Sequence, residues 1–324
     1  MARDLTPIHP QLRAVARVLP SRGPKDLDEV GWGRRLFSLA GRAPARGVEV
    51  VQVGPATVRV HRPRSEPVTP QPAILWIHGG GYVMGSAAAE DAFARQWVRR
   101  LGVTVVLPDY RLAPEHPFPA ALEDCHAALE WLATRDEVDA SRVGIGGASA
   151  GGGLAAALAL LARERGVVAP AFQALVFPML DDRTAARADV DQTGVRVWDD
   201  GANRLGWRAY LGGEPGGDGV DPLAAPARHP DLSGLPPAWL GVGTCDLFHD
   251  EDLAYVDRLR AAGVPVERVV VPGAFHGFNV VRWAPVVAEF ERSMHRAMAA
   301  ALGVPLRTRR AGAHTKPANQ MPAR

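Results

Sequence analysis

Gly146-Gly147-Ala148-Ser149-Ala150-Gly151-Gly152-Gly153 sets one serine among glycines, directly after the apolar run Arg142 to Ile145 and directly before the alanine-rich run Leu154 to Leu161. The order reads as strand, sharp turn and helix. A serine at such a turn takes a strained backbone geometry, and the flanking glycines are needed because side chains there would collide with the neighbouring strand or helix. The Ser149 hydroxyl is thereby held out at the carboxyl edge of a sheet, beside the amide-rich start of a helix, where a nucleophile belongs. The competing reading of the same glycines is a nucleotide loop. Gly144-Ile145-Gly146-Gly147-Ala148-Ser149 has serine where the dinucleotide fingerprint needs its third glycine, and no Gly-Lys-Ser/Thr follows to grip phosphates.

Outward from this turn, apolar β-branched runs recur at Val48 to Val53, Val58 to Val60, Ala73 to Ile77, Val103 to Leu107, Val143 to Ile145, Phe172 to Phe177, Trp239 to Val242 and Val266 to Val271. The first two are close enough for a hairpin across Gly54-Pro55-Ala56-Thr57, and later ones alternate with helical stretches such as Ala89 to Leu101 and Pro119 to Thr134. This predicts an α/β fold: a mostly parallel eight-stranded sheet with helices on both faces and an antiparallel start. Two segments break the alternation. Residues 1–45 read as helical and precede the first strand, and an insertion at about 183–220 carries Trp198, Trp207 and Tyr210; both are candidates for a cap over the catalytic edge of a domain spanning 46–303.

At 324 residues with a formal charge of +2, the chain is long enough for a substantial core. The basic excess sits on 304–324, where Arg307, Arg309, Arg310, Lys316 and Arg324 meet no acid and no apolar periodicity. That pattern predicts a disordered tail and a slightly acidic body, which argues against a nucleic-acid partner. Cys125 and Cys245 lie in apolar runs and read as buried free thiols. Met1 to Pro20 lacks the layout of a signal peptide and no run reaches membrane-spanning length, so the expectation is a cytoplasmic protein without a membrane span.

A serine hydroxyl needs a base, and the base needs an acid to fix its tautomer. Of ten histidines, His276 follows the eighth strand in Pro272-Gly273-Ala274-Phe275-His276-Gly277-Phe278, at the same sheet edge as Ser149; His116, His126, His249 and His295 fall in or near helical stretches. Asp246 follows the seventh strand and lies between Ser149 and His276 in the chain, the usual order for a serine on this turn. Asp250 and Asp252 fall within the next helix, and Asp181 and Asp182 after strand six are the remaining rivals. His78-Gly79-Gly80-Gly81 follows the third strand, so the amides of Gly80 and Gly81, with that of Ala150, are candidate donors to an oxyanion.

With these parts in order, the chain resembles the hormone-sensitive lipase family of α/β-hydrolase serine esterases, over about residues 45–303. The resemblance rests on His78-Gly79-Gly80-Gly81, Gly147-Ala148-Ser149-Ala150-Gly151, Asp246 and His276, together with Asp109-Tyr110-Arg111-Leu112-Ala113-Pro114-Glu115. Ala148 departs from the aspartate or threonine of many members. The resemblance implies an α/β-hydrolase fold with a helical cap, no cofactor and no metal, and hydrolysis of short- to medium-chain carboxylic esters. Ser149 would attack, His276 transfer protons and Asp246 orient His276. An amidase or peptidase using the same triad is the first alternative. A non-catalytic small-ligand receptor is the second, since the family includes a plant hormone receptor without the catalytic histidine; this chain keeps His276. The expected partner is a small-molecule ester, and a homo-oligomer is compatible with the sequence.

Overall fold

The computed structural model describes residues 4–40, 47–64 and 70–307. Strands β1 (Val48–Val53), β2 (Ala56–His61), β3 (Gln71–Ile77), β4 (Thr104–Asp109), β5 (Val138–Ala148), β6 (Phe172–Val176), β7 (Ala238–Cys245) and β8 (Val266–Phe275) form one sheet in the order β1-β2-β4-β3-β5-β6-β7-β8. Strand β2 alone runs against the rest, pairing antiparallel with both β1 and β4, while every other pairing is parallel. Val53 pairs with Ala56, so the expected hairpin closes more tightly than its spacing suggested. Strand β6 ends one residue before its apolar run does, because Phe177 has φ 34° and leaves the extended region.

Eight α-helices accompany the sheet among the described residues: α1 (Arg13–Val18), α2 (Leu27–Ala40), α3 (Asp91–Leu101), α4 (Ala120–Ala133), α5 (Ala150–Arg165), α6 (Asp200–Leu211), α7 (His249–Ala261) and α8 (Pro285–Ala301). Helix α5 is buried all round from Ala150 to Ala162, and its alanines and glycines let it lie close to β5 and β6. Gly166, at φ 66°, ends it in the left-handed conformation that only glycine takes freely. Helix α3 is amphipathic instead, burying Ala94, Trp97 and Leu101. It meets α8 through a Trp97–His295 ring contact at 6.0 Å, whereas α4 meets α5 through Arg165 and Glu123. The central strands are mostly apolar where both faces are covered; Ile74, Leu75, Val105, Ile145, Leu175 and Leu240 are all buried.

Both segments outside the alternation are helical and touch each other. The Gly23 amide donates to Asp199 Oδ1 at 3.1 Å, and the Val197 amide to the Pro20 carbonyl at 3.1 Å. Residues 1–3 and 41–45 of the expected N-terminal cap lie outside the described residues. So do 308–324 of the expected tail. Residues 304–307 are packed: the Arg307 amide donates to the Arg100 carbonyl at 2.8 Å, and Val304 and Leu306 rest on the core. Cys125 and Cys245 are buried free thiols, and no described helix is long and apolar enough to cross a membrane.

Candidate active site

Ser149 joins the end of β5 to the start of α5 with φ 57° and ψ −124°. Its amide donates to Val176 at 2.9 Å, and its carbonyl accepts from Gly153 and Met179, each at 3.0 Å. The turn is tight because the chains beside it leave no room. A Cβ on Gly147 would stand 2.2 Å from the Gly151 carbonyl oxygen, and one on Gly151 would stand 2.2 Å from that of Ile77.

Strands β7 and β8 carry the other two groups to the same edge. Ser149 Oγ donates to His276 Nε2 at 2.9 Å. His276 Nδ1 lies 2.9 Å from Asp246 Oδ2 and 3.1 Å from Oδ1, and since a carboxylate only accepts, Nδ1 carries the proton and Nε2 is free to take one. The Phe248 amide donates to Asp246 Oδ1 at 3.0 Å. Phe177 and Phe248 set their rings edge-on to the imidazole, with centroids at 4.8 and 5.2 Å. The three side chains therefore form a buried relay from hydroxyl to carboxylate.

The rival acids are committed elsewhere. Asp250 is 83 % exposed and bonds His249. Asp181 pairs with Arg183, and Asp182 takes Arg228 and the Gly216 amide. Asp252 is buried in α7 with neither oxygen hydrogen-bonded. Among the other histidines, His295 is held neutral, its pKa pulled down to about 3 by burial and by Arg100 and Arg282.

Gly80 and Gly81 follow β3 in positive-φ conformations, at 123° and 60°. The Gly80 carbonyl accepts from Val83 and Met84, which fixes the loop. Among the described residues the amides of Gly80 and Gly81 donate to no other backbone group. That of Ala150, first in α5, has no intrahelical acceptor. Gly80 and Gly81 line a cavity of about 400 Å³ together with Ser149 and His276, and Ala150 directly follows Ser149 in the chain. Pro24 from the N-terminal segment and Val197 and Trp198 from the insertion also line it.

Several supports carry no signal in motif spacing. The Trp198 ring lies against Gly81 so closely that a Cβ there would meet it at 2.0 Å. Tyr82, stacked on Tyr210 at 3.9 Å, donates to the Met179 carbonyl at 3.0 Å. Arg34 of α2 donates to the carbonyls of Val83 and Ala113, each at 2.6 Å, and grips Glu115 with both terminal nitrogens. Glu251 of α7 accepts from the amides of Leu180 and Asp181 and from the Thr184 hydroxyl, while burial pushes its pKa up to about 8. His78 is buried and stacked on Tyr110, and burial lowers its pKa, so it stays a neutral part of the loop. No group of three or more metal-ligating side chains occurs among the described residues.

Comparison with known proteins agrees with this geometry. Residues 74–280 match a family described as the alpha/beta hydrolase fold. The chain is 34 % identical to an ethyl acetate hydrolase of Pseudomonas putida, over 73 % of this chain and 75 % of that one. It is 33 % identical to the esterase LipI of Mycobacterium tuberculosis, over 92 % and 85 %. Among solved structures, a bacterial heroin esterase superposes with a TM-score of 0.83 at 35 % identity, covering 94 % of this chain and 99 % of that one. The chain belongs to the hormone-sensitive-lipase-like family of α/β hydrolases.

Proposed function

We propose that the protein is a carboxylesterase in which Ser149, His276 and Asp246 act as the catalytic triad through an acyl-enzyme. The observation that carries this reading is the Ser149–His276–Asp246 relay opening into a cavity lined by Gly80 and Gly81. Ser149 Oγ attacks the ester carbonyl while His276 Nε2 takes the hydroxyl proton. The carbonyl electrons collect on oxygen, where the amides of Gly80, Gly81 and Ala150 stabilise them. Collapse breaks the ester bond, and His276 returns the proton to the departing alcohol. A water, deprotonated by His276, then attacks the acyl-enzyme and releases the acid. Asp246 stays ionised and holds the imidazole in place. The esterase names of the relatives support the same reaction.

Pro24, Val197 and Trp198 serve as the cap wall, so the cavity has finite depth. Each methylene that still fits contributes about 0.8 kcal/mol. The expected acyl optimum is therefore short to medium, roughly four to eight carbons, as in the family resemblance and a closed pocket. The test is labelling by a serine-reactive phosphonate, with the adduct mapped by mass spectrometry, beside turnover of a 4-nitrophenyl ester series and a matched anilide. An adduct on a different serine, faster anilide turnover, or rates still climbing at about sixteen carbons each contradicts the reading.

A further inference from the structure

The cavity runs past Ser149 into an arm between β3, α3 and α8, whose wall includes Trp76, Phe93, Trp97 and Phe290. Two carboxylates stand in that otherwise aromatic wall, Glu90 just before α3 and Glu291 on α8. One arginine is near them, and it is already committed. Arg282 lies over the Phe93 ring at 4.0 Å, donates to Gln96 Oε1 at 2.7 Å and reaches Glu291 Oε1 at 3.9 Å. Gln96 Nε2 donates in turn to Glu291 Oε2 at 3.3 Å, and Glu291 Oε1 has no hydrogen bond although the residue is only 9 % exposed. Among the described residues the half-buried Glu90 side chain has no ion pair, and the Trp76 indole N–H is its neutral polar neighbour. The arm thus holds one more carboxylate than it holds cations, with aromatic faces around it. A carboxylate kept from water without its own counter-charge is costly, and a ligand cation relieves that cost while also meeting the rings.

We propose that Glu90 and Glu291 select esters that carry an ammonium group, protonated or quaternary, on the chain that fills this arm; the proposal rests on the esterase reading above. Charge in the arm sets the pH dependence. Burial pushes Glu90 up to about 7, opposed by the field of Arg282. The other groups facing it hold their charge near neutrality: His295 on α8 is neutral, Tyr110 is neutral with its pKa raised by burial, and Asp91 is bound to Arg59 and His61. Glu90 therefore gains its negative charge as pH rises through about 7, and recognition of the cation strengthens in that direction.

The test compares esters that differ in charge but not in shape. One pair is 2-(trimethylammonio)ethyl acetate and 3,3-dimethylbutyl acetate; the other is ethyl 4-(trimethylammonio)butanoate and ethyl 5,5-dimethylhexanoate, which puts the charge on the acyl side. Acid release at fixed pH gives kcat/KM for each, and the ratio within a pair cancels the titration of the triad. In at least one pair the cationic ester leads by about tenfold at alkaline pH. That lead shrinks as pH falls through about 7, and Glu90→Gln and Glu291→Gln each cut it. The wild-type pH dependence needs no variant and stands even if a variant misfolds. Ratios at or below one in both pairs, or a lead indifferent to pH and to both substitutions, overturn the proposal while turnover of the neutral esters upholds the esterase. Failure to hydrolyse any ester, with no phosphonate adduct on Ser149, overturns the esterase reading itself.

Discussion

Ser149 sits at φ 57° and ψ −124°, a region that any residue with a Cβ occupies under strain of about 1–3 kcal/mol. Ser149→Ala keeps the Cβ and the strain; Ser149→Gly releases it, less the entropy that glycine adds to the unfolded chain. Both variants should lose several orders of magnitude in ester turnover. In urea titrations the glycine variant should be the more stable by about 1 kcal/mol, and equal midpoints would mean the turn is relaxed. Asp246→Asn should cost about 10⁴-fold in kcat by allowing the wrong imidazole tautomer, whereas Asp250→Asn, on an exposed side chain, should change little. If the two are reversed, the acid is misassigned. Their meeting at one sheet edge was legible because each follows a strand whose apolar run is unmistakable, and the helix that begins at His249 sets Asp250 and Asp252 apart from Asp246. Phe177 and Phe248 were not legible: nothing in spacing says which of nine phenylalanines will face an imidazole.

Helix α2 reaches the glycine loop through Arg34, whose guanidinium holds the Val83 and Ala113 carbonyls. The loop amides are useful to an oxyanion only if they are already aimed, and loss of one such donor costs 10²–10³ in kcat in known cases, about 3–4 kcal/mol. Loosening the loop should cost less than deleting a donor, so Arg34→Ala should lower kcat about tenfold with KM nearly unchanged. Arg34→Lys should recover only part of it, because an ammonium cannot reproduce the fork. A change confined to KM would make α2 a wall and not a support. Sheet strands and their helices announce themselves by period; the contact of α2 with this loop, like that of Trp198 with Gly81, joins distant segments with no shared pattern. Both cap candidates were therefore visible as interruptions, but their partners were not.

For the whole molecule, stability should fall as the solution becomes alkaline. Glu251 is raised to about 8 in the fold against an ordinary value near 4.5, so between those limits the folded protein holds a proton that the unfolded chain has lost. Unfolding then releases that proton, and rising pH favours it. The window from pH 6.5 to 8 lies between those limits, and comparison with a variant separates Glu251 from the other titrating groups. Glu251→Gln should remove up to about 1.4 kcal/mol per pH unit from the slope of unfolding free energy, measured by denaturant titration across that window. A slope unchanged by the substitution would show that Glu251 is ionised in the fold. The mostly parallel eight-stranded sheet and the edge that carries the site followed from alternation and chain order, but a glutamate buried to join α7 to the loop after β6 looks, in sequence, like any acid at the start of a helix. Ribosomal synthesis runs against the geometry of the N-terminal segment. Pro7 to Glu29 emerges early, yet its anchors are Gly273 on β8, Val197 and Asp199 in the insertion, and Val286 on α8. At about 5–20 residues per second, on the order of 15–50 s pass before the last of them exists. Until then Ile8 and Leu12, buried in the finished protein, have no surface to cover them. Val197 and Asp199, the anchors beside Pro24, are made before Asp246 and His276, so the wall at Pro24 has its footing before the Ser149–His276–Asp246 relay is complete.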